Sequence, residues 1–182
     1  MTEIKRGARI VDNAPQLPGA QPVKRVDKLV SDRSTLRFAV GIFDTWTDVQ
    51  ATVRDLTAGG MADNSFNCLG LYRVLAPLAA WPDIRLSLRD LPFSGDAELT
   101  SVTDGPLAAC LAERSRMGAE TLTAALGQWL IPRHAAQLQE AVSAGQVILW
   151  AQLFDNDDER RAYRSLLARS SNSVGVHDFV RA

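Results

Sequence analysis

Residues 36–60 read LRFAVGIFDTWTDVQATVRDLTAGG, and FNCLGL follows at 66–71. Leu36, Phe38, Val40 and Ile42 alternate with Arg37, Ala39, Gly41 and Phe43, the period-two pattern of a β-strand. Asp44-Thr45-Trp46-Thr47-Asp48 then opens a helix. The Thr45 hydroxyl is placed to accept a first-turn amide, and Asp48 stands three residues on, a capping box with Asp in place of Glu. Val49, Val53 and Leu56 supply the apolar stripe. Gly59-Gly60 ends the helix by permitting the left-handed conformation, and a second strand runs from Phe66 to Leu71. The stretch is one βαβ unit.

The end of the chain repeats that order. Val147 to Phe154 reads as a strand, and Asp155-Asn156-Asp157-Asp158-Glu159 opens a helix with Asn156 and Glu159 at capping-box spacing. Tyr163, Leu166 and Leu167 form its stripe, and Ser173 to Phe179 closes as a strand. An offset of 111 residues lays Phe43-Asp44 on Phe154-Asp155, Thr45 on Asn156, Asp48 on Glu159 and Leu56 on Leu167. Two such units are expected to pack as one four-stranded antiparallel sheet with both helices on one face. That is an α+β, ferredoxin-like fold.

A mainly helical insertion at about 72–130 separates the units. It holds the apolar run Leu71 to Trp81, the alternating segment Ile84 to Arg89, and helical patterns over Leu107 to Met117 and Thr121 to Leu130. Pro132 then begins a helix with the stripe Ala135, Leu138 and Val142, ended by Gly145. These parts make one α+β domain over residues 35–182. Residues 1–34 are expected as an extended arm, because Pro15, Pro18 and Pro22 deny backbone donors. All three lysines fall in that arm, which carries +3 against −4 for the rest. It lies along its own body, or it grips a neighbouring subunit or an acidic partner.

Composition removes several classes. With 46% hydrophobic and 23% charged residues among 182, the chain is not mainly disordered. No run of eighteen uncharged apolar residues exists, so no spanning helix and no membrane partner are expected. A net charge of −1 offers nucleic acid no general attraction. Two cysteines, Cys68 and Cys110, make neither a disulfide framework nor a four-cysteine zinc site. The basic start MTEIKRGARIVDNAP has no apolar stretch behind it, so a cytoplasmic location is expected.

FAVGIFDTWTDVQATVRDLTAGG and IPRHAAQLQEAVSAGQVILWAQLFDNDDERRAYRSLLARSSNSVGVHDF resemble the corresponding parts of bacterial general stress (heat-induced stress) proteins, over roughly residues 36–71 and 131–179. The resemblance implies a ferredoxin-like fold and no established enzyme chemistry. Such relatives often carry a glycine-rich apolar segment between the halves. Here Arg85, Arg89, Asp90, Asp96, Glu98 and Asp104 occupy it, which argues against membrane contact.

Strand alternation makes a further expectation. With Phe38, Val40, Ile42, Leu149, Ala151 and Leu153 turned to the helices, the opposite face presents Ala39, Gly41, Phe43, Ile148, Trp150, Gln152 and Phe154. Setting Phe66, Cys68, Val174 and Val176 on the helix side adds Asn67, Leu69, Leu71, His177 and Phe179 to it. A face this apolar needs a cover, whether the insertion, a second subunit or a ligand. The expected function is a non-enzymatic binding or assembly module with a stress-related role, homo-oligomeric through that face. The alternative is a small dimeric α+β barrel-type enzyme or ligand sensor. Its pocket for an unknown small molecule would be built from Trp150, His177, Gln152 and Asn67.

Other motifs add no chemistry. There is no GxSxG elbow, GxxxxGK[ST] loop or GxGxxG turn, so no catalytic residue and no cofactor are assigned. His134, in a helix first turn, is expected to face solvent. The acidic run from Asp155 fails as a calcium loop because Arg160 stands where glycine is needed, and no metal site is expected.

Overall fold

Strand β1 (Thr35–Phe43) and helix α1 (Trp46–Ala58) form where alternation and cap place them. Thr45 Oγ1 accepts from the Asp48 amide at 3.2 Å and donates to the Asp48 carboxylate at 2.6 Å. The computed structural model describes residues 35–79, 87–172 and 174–180. The arm at 1–34 and the first part of the Ile84–Arg89 strand lie outside the described residues. The elements that follow are β2 (Phe66–Leu71), α2 (Tyr72–Ala79), β3 (Leu88–Leu91), β4 (Thr100–Thr103), α3 (Pro106–Arg116) and α4 (Leu122–Leu126). After them come α5 (Pro132–Ser143), β5 (Val147–Leu153), α6 (Asn156–Leu167) and β6 (Gly175–Val180).

The described residues form an α+β structure whose six strands make one antiparallel sheet, ordered β3-β4-β2-β5-β1-β6. Strand β5 lies between β2 and β1, and β1 lies between β5 and β6. The insertion is less purely helical than expected. It contributes the β3-β4 hairpin at the sheet edge, where Ser101 Oγ donates to Asp90 across the pair at 2.7 Å. Thr100-Ser101-Val102-Thr103 carries little hydrophobic signal, yet all four residues are buried. Helices cover that hairpin and supply the burial its sequence does not announce.

Helices lie on both faces, which corrects the expectation that they share one. Helices α1 and α6 pack against Ala39, Phe43, Leu149, Ala151 and Leu153. Phe38, Val40, Ile42, Ile148 and Trp150 form a second core with α3, α4 and α5 on the opposite face. Of the three covers considered for the apolar face, the structure shows the chain's own insertion, together with α5. The facing of β1 against β5 is the inverse of the expected one: Ala39 pairs with Ala151 and Gly41 with Leu149, so these residues of β1, and not Phe38 and Val40, share the face of α1 and α6.

A cap shift explains the inversion. Asp155, not Asn156, caps α6: its Oδ1 accepts from the Asp157 amide at 2.8 Å and the Asp158 amide at 2.7 Å. Thr45 therefore corresponds to Asp155, an offset of 110 residues. That offset lays Thr52 on Ala162 and Leu56 on Leu166, all fully buried, whereas Tyr163 and Leu167 are 46% and 49% exposed. Because strand side chains alternate, a slip of one residue turns every one of them to the other face.

Arginines tie α1 to α6. Arg161 donates to the Gly59 carbonyl and pairs with the mostly buried Asp158 at 3.1 Å, and Arg169 pairs with Asp55 at 2.6 Å. The cap reassignment is directly testable. Asp155→Ala is expected to cost about 1–2 kcal/mol in urea denaturation, while Asn156→Ala stays within about 0.5 kcal/mol of wild type. The reverse order would restore the 111-residue alignment.

Candidate functional site

Asn67, Trp150, Gln152 and His177 do share one face of the sheet, but they do not converge. Across the strands Trp150 stands between Asn67 and Val40, and Val40 separates it from Gly175. Phe38 likewise stands between Gln152 and His177. With neighbouring strands about 4.8 Å apart, His177 is two strands from either β5 residue.

Asn67 and Trp150 are fully buried. Asn67 Nδ2 donates to the Thr103 carbonyl at 3.0 Å and the Asp104 carbonyl at 3.2 Å, and its Oδ1 accepts from the Leu107 amide at 3.4 Å. It thus anchors the turn into α3. Gly105 in that turn has φ +152°, and a Cβ there would collide with Asn67 Nδ2. Trp150 packs edge-on against Phe38 and Phe179, with ring centroids 6.0 and 5.3 Å away. Both residues hold the second core together.

His177 has a different setting, and the partner it meets is His134. The two rings stand edge-to-face with centroids 5.7 Å apart. They border a cavity of about 90 Å³ where the first turns of α5 overhang β1 and β6, lined also by Val40, Ile42, Gln137, Leu138, Val174 and Gly175. The missing side chain of Gly175 makes the room: a Cβ there would lie 2.7 Å from His177 Nε2. These are the only two histidines in the chain. No described residue hydrogen-bonds to either imidazole. Burial, and then the charge of His134, hold His177 below its ordinary titration range, with the Asp178 carboxylate opposing.

His134 was expected to face solvent. It is exposed, but on the flank of α5 that meets β6. A signal was present, because Ala135 and Leu138 are buried in the second core and fix which flank His134 and Gln137 occupy.

The other polar clusters serve the fold. Asp157 pairs with Arg160, Glu159 pairs with Arg37, and Asp158 accepts from the Phe154 amide. A wide, shallow concavity on the outer side of α6 is lined by Asn156, Glu159, Arg160, Tyr163 and Arg164; Glu159 and Arg160 are paired, and Arg164 has no ion-pair partner among the described residues. Burial pushes the Cys68 thiol up to about 12, so it is protonated and unreactive at neutral pH. Among the described residues no group of three His, Cys, Asp or Glu is arranged for a metal. No helix among them is long and apolar enough to cross a membrane.

Compared with family models, curated proteins and solved structures, the chain matches none.

Two outcomes are expected. Asn67→Ala strands two carbonyls and an amide in the interior and should cost about 1–3 kcal/mol by urea denaturation, with no change in the histidine resonances. His177 has its folded pKa below the unfolded value near 6.5. Its contribution to stability is therefore complete above that pH and is lost as pH falls toward the folded pKa. Melting temperature should drop between pH 7.5 and 5, and His177→Gln should flatten that slope. His134→Ala should move the His177 titration midpoint upward, read by NMR.

Proposed function

We propose that this protein is a non-catalytic binding module whose small polar ligand sits in the cleft between α5 and the β1-β6 margin. The observation that carries the reading is the meeting of two imidazoles, 43 residues apart in sequence, without hydrogen-bond partners among the described residues. A half-buried imidazole and an exposed one that border a cavity together, with donor and acceptor capacity uncommitted, are suited to hold a polar ligand. The described lining has no serine, cysteine, lysine or carboxylate to serve as nucleophile. Binding is thus favoured over the enzyme alternative.

The cavity sets the scale of the ligand. At about 90 Å³ it is well below the roughly 300–1,000 Å³ of pockets for drug-sized organic molecules. A stress-linked sensing role fits both that scale and the resemblance to general stress proteins. The strand order β2-β5-β1-β6, with α1 and α6 on one face, supports reading those four strands as a ferredoxin-like platform to which β4 and β3 are added. Self-association through the sheet is not part of the proposal, because helices α3 to α5 occupy the surface it would need.

A thermal-shift screen of small polar compounds and ions tests the reading, followed by NMR of the two histidine ring signals. Ligands that stabilise the wild type and move both signals together, but leave His177→Phe unaffected, are the expected result. Equal stabilisation of His177→Phe, or no compound that moves either histidine, would overturn it.

A further inference from the structure

Resting on that reading of the cleft, we infer that His134 and His177 form a two-imidazole site for a divalent transition-metal ion of the zinc, nickel or copper class. Geometry is the first support. A zinc–nitrogen bond is about 2.0–2.1 Å, and a ring nitrogen lies about 1.1 Å from its ring centre. Two imidazoles sharing a tetrahedral ion therefore have centroids about 5 Å apart. The observed separation is 5.7 Å, close to that value.

The lining supplies the rest. Gln137 follows His134 by three residues on α5 and lines the same cavity, so its carboxamide oxygen is the third candidate donor. No third His, Cys, Asp or Glu joins the group among the described residues. Solvent or a small exogenous ligand completes the coordination, and about 90 Å³ accommodates an ion with one or two waters. Neutral nitrogen donors without a coordinating carboxylate favour borderline ions over calcium and magnesium. The aliphatic walls of Val40, Ile42, Leu138 and Val174 limit water around the site, while exposed His134 provides the entry path.

Gly175 is the positioning residue. Without a side chain there, the His177 ring lies back over the strand, and adding one would push Nε2 out of place.

The test is titration of the full, tag-free chain with zinc chloride, followed by calorimetry and by the two histidine ring signals. One ion per chain is expected, with both signals moving together and no response to calcium or magnesium. His134→Ala and His177→Ala should each weaken zinc at least about tenfold, and Gly175→Ala should weaken it while retaining both imidazoles. Circular dichroism confirms that each variant folds, and exposed His134 is the safer of the two histidine changes. Wild-type affinity in folded His134→Ala, or no zinc binding at millimolar concentration, would overturn the metal inference. Should zinc fail while an organic ligand still depends on His177, the metal inference falls and the binding reading stands. Should both fail, the cleft is not a binding site.

Discussion

Both faces of strand β5 are buried, with Ile148 and Trp150 on one side and Leu149 and Ala151 on the other, and the rest of the structure is arranged around that constraint. A large side chain withdrawn from water contributes roughly 1.5–3 kcal/mol, so neither side of this strand is stable uncovered. Helices α1 and α6 cover one side only. The insertion supplies α3 and α4 for the other, and α5 completes the layer. On this view the residues between the units are structural in the first instance. They clamp as well as cover: Trp129 stacks on Phe179 at 4.4 Å, donates to the Val180 carbonyl at 2.9 Å, and lies beneath the Arg114 guanidinium.

The cleft is a by-product of the same layering. Strand β6 is the last in the sheet, and α5 reaches it only with its first turns. A side chain at Gly175 would fill the gap between helix and edge strand, and its absence leaves a hollow walled by aliphatic residues. Two imidazoles meet at that hollow because one belongs to the overhanging turn and the other to the strand beneath it.

At the start of α6 the acidic side chains are paired or cap the helix. The run from Asp155 to Glu159 looks like a cation trap in isolation, but each member is committed. Asp155 caps α6, Asp157 holds Arg160, Asp158 holds Arg161, and Glu159 reaches Arg37 of β1. Asp158 and Arg161 also link α6 to the end of α1 through the Gly59 carbonyl. Buried polar atoms without a hydrogen-bond partner lie elsewhere, at Trp46 Nε1, Ser65 Oγ, Thr100 Oγ1 and Trp150 Nε1, so what marks the histidine pair is its place at a cavity.

Local signals decided a good deal. The alternation of Leu36 to Phe43, the Thr45 cap, the proline start of α5 and its Ala135–Leu138–Val142 stripe were all legible, because each depends on neighbours within a turn or two. Which side of β1 faces α1 was not. It hangs on a cap shifted by one residue, and the paired Phe-Asp of both halves pointed to the wrong alignment. An apolar face likewise tells that it must be covered, never by what. Only the folded chain decided that its own helices do the covering and that His134 comes to rest beside His177. Both depend on contacts between segments distant in sequence, where hydrophobic pattern states a need for burial but carries no address for the partner.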